Sequence, residues 1–284
     1  MQTVTVAGVR AMKPAGQPIT CVVAWDVQAA RIADRVGVEI VSVGDTVGVQ
    51  LWGRDSPLDV TVAEMVLVCR AVRRGVQRAL VSCDLPYGPV QQGTASAVRA
   101  AVRLIKKGGA DLVKLDDAGD HPDVVAAVVR AGIPVFAQFG ITPQTATKHG
   151  VVYTGSAADP VPESLTDEFV AQARRLEEAG ASLLNFTNSG PVVGPVVAQS
   201  VSVPVLGGHG GGPWLDGRIR QFTAATGYLA SHVDVDLARD AYANTARISH
   251  DALAAYVADV RAGRQIRGGL PELPGLSGLP GLPG

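Results

Sequence analysis

The chain has 284 residues, of which 47% are apolar and 18% charged, with a formal net charge of −1. That composition describes a globular protein with an ample core and excludes a disordered one; the near-neutral balance gives no global pull toward nucleic acid or an anionic membrane. No apolar run approaches the ~20 residues of a membrane span and no basic-then-apolar leader opens the chain, so a cytoplasmic protein is expected.

In chain order, residues 1–17 read as an N-terminal extension and 18–263 as one catalytic domain. Seven short apolar, β-branched runs punctuate that domain. The first four are "ITCVVAWD" (19–26), "VEIVSVGD" (38–45), "RALVSCDLP" (78–86) and "ADLVKLDD" (110–117). The next three are "IPVFAQFG" (133–140), "ASLLNFTN" (181–188) and "VPVLGGHG" (203–210). An eighth, weaker strand falls at "QFTAATGYL" (221–229), where small residues dilute the signal.

Between the strands lie stretches with helical spacing, such as "TASAVRAAVRLIKKGG" (94–109) and "LTDEFVAQARRLEEAG" (165–180). In the second, Phe169, Ala173 and Leu176 share a face and Gly180 reads as the stop. The basic stretch "RAVRRGVQR" (70–78) reads as a solvated helix face. Apolar strands alternating with helices mean a parallel sheet covered on both faces. About eight such units in about 250 residues is the size of an α/β (β/α)8 TIM barrel. A doubly wound sheet is the alternative, but "AWDVQAA" lacks the glycine-rich fingerprint that follows its first strand.

The segment 264–284 differs in texture, and its "GGLPELPGLSGLPGLPG" (268–284) repeats Leu-Pro-Gly. It is expected to be disordered or draped over a neighbour, and it lacks the strict glycine period of collagen. Cys21, Cys69 and Cys83 show no CxxC spacing and read as buried, reduced thiols. A nucleophilic role for Cys83, beside Asp84, is the alternative.

The chemistry concentrates where strands end. In a barrel of this kind catalytic groups stand at the C-terminal strand ends. That puts Asp26, Asp45, Asp84, Asp116, Asp117, Gln138, Thr187, Asn188 and His209 on one rim. Converging carboxylates repel, and a hard divalent cation such as Mg2+ resolves the conflict while leaving positions for substrate. Asp45, Asp84 and Asp116 are the candidate ligands, each with the alternative of capping the next helix or turn. Side-chain alternation turns Lys114 the same way as Asp116, toward an anionic substrate or a rim aspartate.

These residues, in this order, resemble the ketopantoate hydroxymethyltransferase family. The resemblance runs from about Met12 to Gly263 through "MKPAGQPITCVVAWD", "VGDTVG", "GRDSPLDVTVAEMVLVCRAVRRG", "CDLPYG", "GADLVKLD", "IPVFAQFGITPQ", "LEEAGASLL" and "VPVLGGHGGGPWLDGR". It implies a (β/α)8 barrel of the phosphoenolpyruvate mutase/isocitrate lyase superfamily. It also implies Mg2+ on Asp45, Asp84 and Asp116, the last an aspartate where the family usually has glutamate. Thr46 and Lys114 would hold a 2-oxo acid, with Asp45, Asp84 and Gln138 lining the same pocket. The implied reaction enolises that acid and adds a one-carbon unit from 5,10-methylenetetrahydrofolate, and bacterial members are commonly large homo-oligomers.

The departures fall on proton transfer. Thr187 stands where the family has its glutamate base, Gln138 where it has a histidine, Trp25 where it has a tyrosine and Ser156 where it has a basic residue. "TGYLASHVDVD" lacks the family's Pro-Lys-Phe signature. Threonine is no general base near neutral pH. His209 in "GGHGGG" is the candidate replacement acid/base, with a plain turn histidine as the alternative, and Asn188 is a candidate oxyanion donor. The expectation is a Mg-dependent 2-oxo-acid hydroxymethyltransferase with a rebuilt base. A retro-aldol lyase or decarboxylase on the same clamp, or a non-catalytic metabolite-binding barrel, are the alternatives.

Overall fold

A computed structural model describes residues 3–142, 144–150, 161–208, 211–264 and 266–268. Eight parallel strands close into a barrel in chain order. They are β1 (Ile19–Val23), β2 (Ile40–Val43), β3 (Leu80–Leu85), β4 (Leu112–Leu115), β5 (Val135–Gly140), β6 (Leu183–Thr187), β7 (Val205–Gly207) and β8 (Gly217–Gln221). All seven expected strands are present. The eighth is corrected: it is "GRIRQ", which begins four residues before the small-residue run, and Phe222–Thr226 of that run is helical. The charged Arg218 and Arg220 hid it. They take the outward positions of an alternating pattern in which Gly217 and Ile219 are buried. Gly217 must be glycine, because a Cβ there would lie 2.4 Å from the Ile19 carbonyl.

The helices are α1 (Val6–Met12), α2 (Val27–Val36), α3 (Val47–Gln50), α4 (Val62–Gly75), α5 (Thr94–Arg103), α6 (Pro122–Arg130), α7 (Thr166–Glu178), α8 (Val193–Gln199), α9 (Phe222–Thr226) and α10 (Thr245–Arg261). Local chemistry starts them. Asp26 accepts from the amides of Gln28 and Ala29 to cap α2, so this rim aspartate is a cap. Thr61 and Glu64 form a reciprocal capping box on α4. Asp34 of α2 accepts from the amides of Gln77 (3.0 Å), Arg78 (3.1 Å) and Ala79 (2.7 Å), pinning the entrance to β3.

Strand register separates two faces. Ser42 pairs with Ser82, Asp84 with Lys114, Gln138 with Asn185 and Gly140 with Thr187. Their neighbours Phe139 and Phe186 stack at 4.7 Å and meet Phe169 of α7, so the alternate residues face the helix layer. Cys83 belongs to that outer set, fully buried beside Cys69, with its thiol pushed well up by burial. That environment disfavours the thiolate a nucleophile needs. At the opposite end of the barrel, Lys13 after α1 donates to the carbonyls of Ala198 and Val203 and pairs with Asp216 at 3.0 Å.

The barrel lies in one compact unit, Met1–Phe222, and a second unit, Thr223–Gly284, carries α10. Within the second unit Asn244 caps α10 by accepting from the Arg247 amide, and its own amide donates to the His232 carbonyl. The Leu-Pro-Gly repeat falls outside the described residues from 269 onward.

Candidate active site

Three carboxylates stand buried on the C-terminal rim: Asp45, Asp84 and Asp116, each 5–7% exposed. Asp45 follows β2 by way of Gly44, whose carbonyl accepts from the Trp25 indole at 2.9 Å. A Cβ at Gly44 would come within 3.0 Å of Thr46 Oγ1 and 3.2 Å of Val23, so glycine lets this turn close. Thr46 begins α3, and its hydroxyl makes no capping bond there. The Asp45 amide points to Asp84 Oδ2 at 3.4 Å, and the same oxygen lies 3.0 Å from Lys114 Nζ. Asp116 accepts from the Asp117 amide at 2.7 Å and from the Thr142 hydroxyl.

One buried ammonium therefore serves three buried carboxylates. Burial, then repulsion from Asp84 and Asp116, pushes the Asp45 carboxyl up to about 8. Burial likewise raises Asp116 to about 6, against the bonds from Thr142 and Asp117. Asp84 is raised by burial, opposed by Lys114. Burial pulls Lys114 down, but Asp84 and Asp45 outweigh it and hold the ammonium above its ordinary value.

Such a rim invites a cation. Among the described residues no group of three or more His, Cys, Asp or Glu side chains converges tightly enough to hold a metal alone. Mg2+ does not require one, since it keeps several waters and takes one or two carboxylates. Asp84 Oδ1 is buried without a hydrogen-bond partner, and the donor set is all hard anionic oxygen, so the residues fit Mg2+.

The adjoining wall, β5 and β6, is neutral. Gln138 Nε2 donates to Thr187 Oγ1 at 3.2 Å, and both residues are buried. Asn188 is fully buried with φ +58°, and its amide donates to the Ile141 carbonyl at 2.8 Å. That bond takes one of the two N–H donors of the amide. The Asn188 carbonyl accepts from Val161 at 2.8 Å, so this residue holds both ends of the β5–α7 connection. His209 and Ser156 lie outside the described residues.

Sequence reasoning missed three participants. Gln144 donates to Asp45 Oδ2 at 3.3 Å and Thr142 reaches Asp116, both brought over the rim by the chain after β5. A loop contact of that kind leaves no periodic signature. Asn185 was legible: it lies two residues before Thr187 and so on the same strand face.

The closed barrel, its acidic rim and the inward lysine define a (β/α)8 TIM barrel with a charged site at the C-terminal ends of its strands. A 2,3-dimethylmalate lyase described as a member of that superfamily aligns with a TM-score of 0.57 at 16% identity, covering 95% of this chain and 90% of that one. A phosphonopyruvate hydrolase in complex with oxalate and Mg2+ aligns with a TM-score of 0.58 at 15% identity, covering 95% and 93%. In sequence, residues 3–265 match the family model for ketopantoate hydroxymethyltransferase. The 3-methyl-2-oxobutanoate hydroxymethyltransferase of Desulfotalea psychrophila is 37% identical, over 91% of this chain and 90% of that protein. The enzyme of the same name from Salinibacter ruber is 35% identical, over 92% and 96%. The chain belongs to the ketopantoate hydroxymethyltransferase family, and it is an enzyme of that hydroxymethyl-transferring class.

Proposed function

We propose that this enzyme enolises a 2-oxo acid and adds a one-carbon unit to it with Mg2+, using a proton-transfer group other than the family glutamate. The observation that carries the reading is the single buried ammonium of Lys114 against Asp84, beside two further buried carboxylates. Asp45, Asp84 and Asp116 would hold the ion, the last directly or through a water. When bound, the ion would polarise the substrate's oxo group and so acidify its C3 proton.

The chain's own residues do the rest. Lys114 keeps ammonium donors beyond the one given to Asp84, and these meet the substrate carboxylate. Thr46 offers a hydroxyl at the same rim. Gln138 and Thr187 orient the acid without taking its proton, because neither is basic. His209 is assigned the C3 proton. The reading extends to a cytoplasmic homo-oligomer that takes a small-molecule substrate, with no nucleic-acid or membrane partner; among the described residues no helix is long and apolar enough to cross a membrane.

Proton NMR in heavy water tests it. Protein, Mg2+ and 3-methyl-2-oxobutanoate or its shorter homologues should lose the C3 proton signal, and EDTA or Asp84→Ala should stop the loss. Product formation with 5,10-methylenetetrahydrofolate against free formaldehyde then identifies the one-carbon donor. Absence of metal-dependent exchange with every 2-oxo acid offered sinks the reading.

A further inference from the structure

The acidic part of the rim leaves the adjoining wall unexplained. Gln138 and Asn185 are register partners on β5 and β6. Their neighbours Phe139 and Phe186 stack against Phe169 on the helix side, so the two amides face the barrel interior. Each is 5% exposed. Gln138 Oε1 and Asn185 Oδ1 are both buried and have no hydrogen-bond partner. A buried acceptor left unpaired costs about 1–3 kcal/mol, so two side by side form a feature that a bound group should answer.

We infer that Gln138 and Asn185 form a subsite for a hydroxyl group carried by the 2-oxo acid; this rests on the 2-oxo-acid reading above. A side-chain amide oxygen only accepts. A hydroxyl donates to it, a methyl leaves it unpaired, and a carboxylate is repelled. Of the other buried oxygens without a partner around the rim, those of Ser42 and Ser82 are hydroxyls in register with each other that can turn and pair, Asp84 Oδ1 belongs to the acidic side, and Asn188 Oδ1 lies on the residue tied to Ile141 and Val161.

The floor below the amides is apolar, since Phe136 pairs with Leu183 one inward step deeper. The subsite therefore reads polarity at one level only. Lys114 is in register with Phe136, which sets Gln138 one inward step nearer the rim on the adjacent strand. Strand spacing and rise put the two Cα atoms about 8 Å apart, within reach of a substituent on a small acid whose carboxylate meets Lys114.

The test uses isosteric ligands. 3-Hydroxypyruvate and 2-oxobutanoate share their heavy-atom skeleton and differ by hydroxyl against methyl, while 3-fluoropyruvate offers an acceptor and no donor. Calorimetric titration of the full chain with Mg2+ should show 3-hydroxypyruvate binding about tenfold or more tighter than both, the worth of one buried hydrogen bond. Asn185→Val should bring that ratio close to one, with 2-oxobutanoate bound at least as tightly as before, and Gln138→Met should lower the ratio as well. Thermal melts confirm that the variants are folded.

Equal binding of hydroxyl and methyl ligands overturns the inference, because water alone then answers the amides. So does 3-fluoropyruvate matching 3-hydroxypyruvate, or a preference that survives both variants. If none of the three acids binds, the 2-oxo-acid reading itself fails and takes this inference with it.

Discussion

Gln138 donates to Thr187 across β5 and β6 at 3.2 Å, a pair with no titratable group. The two positions resemble those where the family has a histidine and a glutamate. Thr187→Glu restores a carboxylate there, and a positioned general base contributes about 100-fold or more. C3 exchange of 3-methyl-2-oxobutanoate should rise by about that factor, while Thr187→Val should not raise it. Exchange rates from NMR in heavy water check this. An unchanged rate in Thr187→Glu means that this wall does not meet C3.

Lys114 and Asp84 should be coupled energetically as well as geometrically. Removing one partner of a buried ion pair strands the other and costs about 3–5 kcal/mol. Lys114→Met is expected to lose about that much stability, and Lys114→Met/Asp84→Asn should be more stable than Lys114→Met alone. Urea unfolding of the four proteins closes the cycle. Simple additivity would mean that the 3.0 Å contact carries no coupling.

Asp34 gives a pH signature far from the rim. Burial would raise its carboxyl, but the backbone amides of Ala79, Gln77 and Arg78 outweigh it and hold the value below the ordinary carboxylate range. A depressed folded value contributes stability that is present above the unfolded pKa and is lost as pH falls through the folded one. Asp34→Asn should therefore cost about 2 kcal/mol at pH 7. The gap to the wild type should shrink once both are compared below the unfolded value of about 4. Urea midpoints across that range measure it, and a gap that widens in acid contradicts the assignment.

Asn188 should act as a tie. Asn188→Ala loses the bond to Ile141 and must hold φ +58° with a residue that disfavours it, for an expected loss of about 2 kcal/mol. Asn188→Gly keeps the conformation and loses the tie alone, so it should be the milder change. Hydrogen exchange at Val161, whose amide bonds Asn188, should accelerate in Asn188→Ala. Equal stability of both variants and wild type would remove Asn188 from this role.

The barrel was legible because a doubly covered strand must be apolar throughout, and seven strands met that condition. β8 was not, because its two arginines point outward and break the run. Strand-borne site residues such as Asp84, Lys114 and Thr187 followed from position and alternation. Gln144 and Thr142 did not, since a loop reaches back across the rim with no period to announce it. Asn188 was legible as the end of an apolar run, but its left-handed backbone and its bond to the Ile141 carbonyl, which make it a fastener as well, left no mark in the sequence.

The ladder between the first and last strands, from Ile19–Gly217 to Val23–Gln221, has a consequence during synthesis. Until Gln221 has left the ribosome, a growing chain can present at most seven strands, with β1 and β7 as open edges. Such edges pair readily with other chains. The seam is therefore a late checkpoint in biogenesis. Translation stalled between Gly207 and Gly217 should yield nascent chains that need a chaperone, and release beyond Gln221 should relieve that need.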